Sequence, residues 1–335
     1  MLKLDAKDKK ILSALEKDAR MPLSKIAELA GISKQLVDYR IRSLQKRGVI
    51  TRFSVHVDLT KLGYSTFGVY LRLKNMNDKR EKEVMELIRN NPFVKWMIVC
   101  TGKWDFAFSL SAKNIMEFNS KLGKLLDAIG DNIDMYETNV VFSIHNFPPI
   151  FLEQKETYAP TFNRKEFTEG GSIEKLDPVD VELISALQDD SRQSLVELGQ
   201  KVHVSADVVR YRMKSLVSRG IITKFSTRVS SKVLEYEWYQ LTICLKRLPE
   251  SEEKKFMEII RGLPNTSYVV RCIGKWDFEI HILAKNTEEF RKTLMQIRDS
   301  MADYIISYDT MMIFDKSKSL TFPAGVADEL SGSKT

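Results

Sequence analysis

The apolar positions of this chain follow two periods that alternate along it. Residues 4–50 and 176–222 carry apolar residues at helical spacing, which predicts three short helices in each stretch. In the last helix of each stretch, three apolar residues share one face: Val37, Ile41 and Leu44, then Val209, Met213 and Leu216. Residues 64–145 and 236–314 instead predict strands alternating with helices in the order βαββαβ, a ferredoxin-like arrangement. The predicted fold class is α+β.

The second half of the chain repeats the first at a constant offset of 172 residues. Leu4 recurs as Leu176, and Tyr39 recurs as Tyr211. Far downstream, the residues from Gly102 to Phe106 recur without change from Gly274 to Phe278. A constant offset over this span indicates a duplication with no net insertion.

The strand predicted from Phe93 to Cys100 is apolar on both faces. One face would pack on the helices of its own unit, so the other needs a second sheet. The equivalent sheet of the second copy is the simplest partner. We therefore expect the two strand-containing units of one chain to form an internal pseudo-dimer.

The helical stretches match the plan of a helix-turn-helix. The third helix opens at Ser33 and Ser205, which suit N-caps, and ends before Gly48 and Gly220, which suit the left-handed C-terminal position. Its solvent side is polar and basic, as expected of a helix that enters the major groove. We predict double-stranded DNA as the partner, contacted by Lys34, Gln35, Asp38, Tyr39, Arg42, Lys46, Asp207, Arg210, Tyr211 and Lys214.

Two interpretations compete with DNA contact on these helices. A basic face can be a solvated surface only, although its occurrence twice at the same spacing favours DNA binding. Arg40 and Arg212 project near the apolar stripe, so we expect them to be structural and to pair with an Asp of the first helix. Asp207 in the second copy is compatible with a helical unit that has lost DNA binding and serves assembly.

Each copy resembles the Lrp/AsnC, or feast/famine, family of transcriptional regulators. The motifs that carry the resemblance in copy one are Leu4-Asp5-x-x-Asp8, Asp18-Ala19-Arg20, Gly31-Ile32-Ser33 and Val37-x-x-Arg40-Ile41. The resemblance implies winged or plain helix-turn-helix units, each followed by an effector-sensing domain. It also implies dimers formed through the sheets, with further homo-oligomers, and a response to an amino acid or related metabolite. The fused tandem departs from the family's separate subunits.

The Gly-x-x-Asp turn of each copy resembles the family's effector-binding turn. We predict Gly102, Asp105, Gly274 and Asp277 as effector-binding residues. Glycine permits a left-handed backbone whose N–H groups can meet an α-carboxylate, and the Asp can accept from an α-ammonium. A tight hairpin with a structural Asp is an equal alternative.

The predicted domain organisation follows from these patterns. The boundaries are 1–60 and 176–232 for the helix-turn-helix domains, 61–152 and 233–316 for the ferredoxin-like sensing domains, 153–175 for a linker and 317–335 for a flexible tail.

Composition narrows the function classes. Among 335 residues, 52 Lys and Arg against 45 Asp and Glu leave a charge of +7, which permits a nucleic-acid partner. Three scattered cysteines and an N-terminus without a signal peptide predict a cytoplasmic protein. No apolar run is long enough to predict a membrane-spanning helix. We predict no metal, cofactor or catalytic residue. Cys100 and Cys272 are equivalent and fit core positions better than redox sensing.

The main alternative function is enzymatic. The architecture of this chain is similar to the two-part architecture of siroheme decarboxylases. Those enzymes need basic and His side chains clustered in the sensing domain to handle a polycarboxylate tetrapyrrole. The four His residues are scattered and share no position between the copies, so we predict that the chain is not an enzyme.

Overall fold

The structure is a computed structural model that describes residues 4–147, 152, 162–163 and 173–332. Its helices are α1 Ala6–Lys17, α2 Leu23–Ala30, α3 Lys34–Lys46, α4 Asp78–Asn90, α5 Ile115–Ile129, α6 Pro178–Asp189, α7 Leu195–Lys201, α8 Ala206–Ser218, α9 Glu250–Gly262, α10 Thr287–Ser300 and α11 Ala324–Ser331. Its strands are β1 Ile50–Val57, β2 Ser65–Leu73, β3 Val94–Thr101, β4 Phe106–Ala112, β5 Ile133–Asn146, β6 Phe162–Asn163, β7 Ile222–Val229, β8 Glu237–Leu245, β9 Thr266–Gly274, β10 Phe278–Ala284 and β11 Ile305–Ser319.

The helix starts in the two helical units are set by short polar side chains. Asp5 and Asp177 cap α1 and α6, and Ser33 and Ser205 cap α3 and α8, each accepting from a backbone N–H three residues on. Ser194 begins α7 with a full capping box. The caps at Ser33 and Ser205 confirm the predicted starts of the third helices.

The strands of both copies form one sheet that closes into a barrel. The order is β2-β4-β3-β11-β8-β10-β9-β5-β6, and β5 also pairs with β2, which closes an eight-stranded ring. The two copies meet where β3 pairs with β11 and β5 pairs with β9. The predicted internal pairing of the two strand-containing units is therefore confirmed.

Hydrophobic cores lie both outside the barrel, under the helices, and inside it. Outside, α4 and α5 cover one half through residues such as Val84 and Phe118, and α9 and α10 cover the other half. Inside, side chains from both copies pack together, including Ile98, Trp104, Cys272 and Trp276. This explains why β3 is apolar on both faces.

The two helical units are joined by an antiparallel ribbon of β1 and β7, one strand from each copy. Each helical core takes side chains from the other copy: Leu234 and Leu283 pack in the core of the first unit, and Val55 and Tyr64 in that of the second. Each strand that follows a third helix thus pairs between copies, and this ties the two helical units to one another.

The C-terminal segment differs from the flexible tail predicted at 317–335. β11 continues through 319, and α11 packs on α6 with Phe322 and Val326 inside the core of the second helical unit. The side-chain oxygen of Gln188 accepts from the Phe322 N–H at 2.7 Å. The composition is polar on average, but two well-spaced apolar side chains are enough to anchor the segment. The predicted linker at 153–175, with Gly170 and Gly171, lies outside the described residues except for 162–163 and 173–175.

Candidate nucleic-acid interface and effector turns

The predicted reading face of α3 lies on the surface. Tyr39 is 68% exposed and the Arg42 side chain 78% exposed, while Lys34, Gln35 and Lys46 are also exposed. Val37, Ile41 and Leu44 are buried on the opposite side, so the helix cannot rotate without breaking its core. Asp38 pairs with Arg42 at 3.0 Å. The face therefore presents hydrogen-bond donors and acceptors to solvent.

α8 presents an equivalent face with different chemistry. Tyr211 is 75% exposed, and Lys214 is exposed beside it. Asp207 and Arg210 form an ion pair one turn apart on the solvent side. Each face carries one carboxylate, Asp38 on α3 and Asp207 on α8, and α8 has Ala206 and Ser218 at the positions of Lys34 and Lys46.

Arg40 and Arg212 are structural, as predicted. Arg40 donates to Asp5 and Asp8, both at 2.7 Å, and Arg212 repeats the pattern with Asp177 and Asp180. These contacts raise the pKa of both guanidinium groups through their hydrogen bonds to the carboxylates. The arginines hold the third helix against the first and do not belong to the reading face.

A second arginine pair, which the sequence analysis did not single out, links the two helical units. The Arg20 guanidinium donates to the backbone oxygens of Ser191 at 2.6 Å and Gln193 at 2.9 Å. Arg192, its equivalent, donates to the Ala19 oxygen in return. The repeat of Asp-x-Arg at the offset of 172 residues was the available signal.

The two Gly-x-x-Asp turns lie where one copy meets the other. A Cβ on Gly102, whose φ is +127°, would stand 3.1 Å from the Thr310 backbone oxygen, and one on Gly274, whose φ is +149°, would stand 3.0 Å from that of Thr138. Both the backbone angle and the close approach require glycine.

The turn aspartates already have backbone partners. Asp105 Oδ2 accepts from the Leu73 N–H and Asp277 Oδ2 from the Leu245 N–H, each at 2.7 Å. These bonds hold each hairpin to the end of the neighbouring strand, which favours the structural interpretation for one oxygen of each carboxylate. The other oxygen of Asp277, Oδ1, pairs with the Arg271 guanidinium at 3.4 Å. Both aspartate side chains remain partly exposed.

Two of the three cysteines, Cys100 and Cys272, occupy core positions. Cys100 and Cys272 are free and buried in the barrel, and burial raises the pKa of the Cys100 thiol to about 12. A thiol with a raised pKa is a poor nucleophile. Among the described residues, no group of three or more His, Cys, Asp or Glu is placed to hold a metal ion. In the same part of the chain, no helix is long and apolar enough to cross a membrane.

Comparison with known families identifies both helical units. Residues 4–51 match a winged helix-turn-helix DNA-binding model, and residues 176–217 match the AsnC-type helix-turn-helix domain. The chain is 30% identical over 144 residues to the HTH-type transcriptional regulator FL11 of Pyrococcus horikoshii, a match that covers 42% of this chain and 91% of the regulator. It is 30% identical over 128 residues to LrpA of Pyrococcus abyssi, covering 36% of this chain and 88% of that one.

A solved structure shares the whole architecture. The siroheme decarboxylase NirDL superposes with a TM-score of 0.64 at 16% identity, over 97% of both chains. At this identity the likeness concerns the fold alone. The sequence matches, by contrast, cover nearly the full length of single-copy regulators. The chain belongs to the Lrp/AsnC family of DNA-binding transcriptional regulators and carries two helix-turn-helix units in one polypeptide.

Proposed function

We propose that this regulator reads a two-part DNA site with α3 and α8 of a single chain and performs no enzymatic step. The observation that supports this most directly is the pair of exposed, differently charged third helices, held together by one ribbon. A homodimer presents two identical helices, whereas this chain presents two unlike ones. The site of action is the cytoplasm.

Base recognition is assigned to the exposed side chains of these helices. Gln35 suits adenine, because its amide can donate and accept along one base edge. Arg42 suits guanine, because its guanidinium can donate two hydrogen bonds to one base edge. Lys34 and Lys46 suit phosphates. In the second half-site Arg210 and Lys214 take the roles of base and phosphate contact. A tyrosine is common to both helices, as Tyr39 in α3 and Tyr211 in α8.

Selection of DNA sites from a random pool, with and without pooled amino acids, tests the proposal. We expect a defined motif bound by one chain or by one assembly of chains. Failure to enrich any sequence above the starting pool, with folded protein, would remove sequence-specific recognition from the proposal.

We also propose an amino acid or related small metabolite as effector near Gly102–Asp105 and Gly274–Asp277. Each turn has an ion pair between copies beside it, Lys103 with Asp309 at 2.8 Å and Lys275 with Glu137 at 3.6 Å. Charges of both signs next to glycine backbone suit a zwitterion.

The effector proposal is tested with Asp105→Asn and Asp277→Asn together. Asparagine keeps an acceptor for the Leu73 and Leu245 N–H groups and removes only the charge. We expect any rise in melting temperature given by pooled amino acids to disappear in this double variant. A rise that persists would place the effector elsewhere.

A siroheme decarboxylase-like enzyme is the second candidate. The full-length similarity to NirDL supports it, since both chains carry the tandem arrangement over 97% of their length. Incubation of the purified protein with siroheme, followed by mass analysis of the tetrapyrrole, separates the two. Unchanged siroheme is expected, and loss of carboxyl groups as carbon dioxide would favour the enzyme.

A further inference from the structure

The two Gly-x-x-Asp turns share one sequence, Gly-Lys-Trp-Asp-Phe, but have different neighbours. We call residues 102–105 turn one and residues 274–277 turn two. A backbone hydrogen bond closes each hairpin: the Cys100 N–H donates to the Asp105 oxygen at 2.9 Å, and the Cys272 N–H donates to the Asp277 oxygen at 2.8 Å. Because sequence and closure are the same, any difference between the turns comes from the side chains around them.

Arg271 lies across the base of turn two. Its Nη1 donates to the backbone oxygens of Cys272 at 2.5 Å and of Asp277 at 3.2 Å, one on each arm of the hairpin. The same nitrogen lies 3.4 Å from Asp277 Oδ1, and Nε donates to Glu253 on α9 at 3.2 Å. The side chain is only 24% exposed, so solvent screens these contacts incompletely. Arg271 thus holds both arms of turn two to each other and to α9.

Turn one has the acceptors for such an arginine but not the arginine itself. Val99 stands at the position equivalent to Arg271. Asp105 Oδ2 accepts from the Leu73 N–H, whereas its Oδ1 has no hydrogen bond or ion pair within the described residues. Glu81, the equivalent of Glu253, is exposed on α4. The outer side of turn one is therefore held by fewer contacts than that of turn two.

The inner sides of the turns differ in the same direction. Trp276 is 3% exposed, and its Nε1 donates to Glu279 Oε1 at 3.0 Å. The same oxygen accepts from Asn139 Nδ2 of copy one at 2.7 Å, so turn two is tied through Glu279 to the other copy. Copy one has Ala107 where copy two has Glu279. Trp104 is 1% exposed, and its Nε1 has no hydrogen-bond partner within the described residues.

The remaining contacts of the turns are shared and do not set them apart. Each turn has one partly exposed ion pair to the other copy and one thiol contact on a carbonyl oxygen. These are Lys103–Asp309 at 2.8 Å, Lys275–Glu137 at 3.6 Å, Cys100 Sγ–Trp104 O at 3.3 Å and Cys244 Sγ–Lys275 O at 3.1 Å. Ion pairs that solvent reaches are screened and hold a turn only weakly.

We propose that Arg271 and Glu279 fix turn two in place, and that turn one alone is free to change its conformation, so that the chain has one responsive turn. Opening turn two breaks the guanidinium contacts on both arms and the buried hydrogen bond of Trp276. Opening turn one breaks none of these, since the Trp104 N–H has no acceptor to lose. One consequence rests on the effector proposed above: an effector that acts on the turns acts through turn one.

Hydrogen–deuterium exchange of the full chain, read by mass spectrometry at residue resolution, compares two matched amides. The Asp105 N–H donates to the Leu71 oxygen at 3.0 Å, and the Asp277 N–H donates to the Ile243 oxygen at 2.8 Å. A Trp precedes each Asp, so the intrinsic exchange rates agree and the measured difference reports the opening of each turn. We expect Asp105 to exchange at least about tenfold faster than Asp277. Equal rates in the wild-type chain would overturn the proposal.

Arg271→Val gives turn two the residue of turn one at this position. It should raise the exchange rate of Asp277 about tenfold and leave that of Asp105 unchanged, so that Asp105 reports any loss of overall stability in the same sample. Arg291→Ala, on the exposed side of α10, should change neither rate. An unchanged Asp277 rate in Arg271→Val, or an equal rise at both amides, would also overturn the proposal.

Val99→Arg, the reverse change, separates this inference from the effector proposal. The new arginine meets Asp105 and Glu81 as Arg271 meets their equivalents, so it should abolish any rise in melting temperature that pooled amino acids give, whereas Arg271→Val should keep the rise. A rise that persists in Val99→Arg and is lost in Arg271→Val would place the response at turn two and overturn the inference. If pooled amino acids give no rise in any of these chains, the effector proposal fails, and the exchange rates still decide whether turn two is fixed.

Discussion

Ser54 and Ser226 lie directly opposite each other in the ribbon of β1 and β7. They are equivalent residues, 172 positions apart, so the pseudo-twofold axis of the chain passes between them. His56 Nε2 contacts the Ser226 hydroxyl at 2.7 Å, and Arg228 Nε donates to the Ser54 hydroxyl at 2.9 Å. His56 and Arg228 are also equivalent. The geometry at the axis is symmetric while its chemistry has diverged.

Arg20→Ala should destabilise the link between the helical units. The variant leaves the Ser191 and Gln193 carbonyl oxygens without their charged donor, at a cost of about 1–3 kcal/mol in the free energy of unfolding. Urea unfolding at neutral pH measures it. Arg291→Ala, an exposed arginine on α10, is the matched control and should change stability by less than about 0.5 kcal/mol. Equal effects of the two variants would show that the contact contributes nothing.

Stability should fall as the solution is acidified below neutral. Burial, assisted by Lys224, lowers the pKa of His56 to about 3, against 6.5 for an ordinary His. Between these values the unfolded chain binds a proton that the folded chain excludes, so the free energy of unfolding decreases as pH falls. His56 alone accounts for about 1 kcal/mol between pH ~7 and ~5.5.

His56→Gln is the variant that isolates this contribution, since Gln can still hydrogen-bond to Ser226. It should flatten the pH dependence of urea unfolding over that range. Gln45→Ala, at an exposed position and without a titratable group, should leave the slope as it is in the wild type. A slope unchanged by His56→Gln would mean that His56 has the same pKa in the folded and unfolded chains.

Cutting the chain in the predicted linker should not separate the halves. β3 pairs with β11 and β5 with β9, so separation would expose the interior of the barrel and the edges of four strands. A protease site inserted at Gly170 and size-exclusion chromatography after cleavage measure this. We expect both fragments in one peak, and two folded fragments in separate peaks would contradict the shared barrel.

Arg42→Ala should weaken DNA binding by about 1–3 kcal/mol if Arg42 contacts a base. The side chain is exposed and its only ion pair, to Asp38, is on the same helix face, so the variant disturbs no core contact within the described residues. Fluorescence anisotropy with a selected site at several salt concentrations gives the affinity and the salt slope. Arg291→Ala should retain wild-type affinity, and equal affinity of both variants would exclude Arg42 from the interface.

The selected DNA motif should have one well-defined arm and one degenerate arm. Gln35, Asp38 and Lys46 in α3 correspond to Asp207, Arg210 and Ser218 in α8, and the Asp207 carboxylate repels nearby phosphate.

The triple variant Asp207→Gln, Arg210→Asp and Ser218→Lys gives α8 the residues of α3 at these positions. We expect selection with this variant to return two matching arms. A symmetric motif from the wild-type chain would instead indicate that two chains present the same helix twice.

Local pattern in the sequence determined much of this protein. The offset of 172 residues established the duplication, and capping residues such as Ser33 and Ser205 placed the third helices, because a cap acts on N–H groups only a few residues away. The exposed face of α3 followed from helical periodicity alone.

Only the tertiary structure determined the contacts between residues that lie far apart in sequence. Arg20 and Ser191 lie far apart in sequence and no local period relates them, so their contact depends on the pairing of the ribbon strands. The sequence left the turn aspartates equally open to effector binding and to a structural role, and folding brings the Leu73 and Leu245 N–H groups to them. The C-terminal segment looked polar on average, and only the groove beside α6 gave Phe322 a place to pack. In each case the deciding interaction is a contact between residues far apart in sequence. Composition and periodicity cannot predict such a contact, because both describe only local sequence.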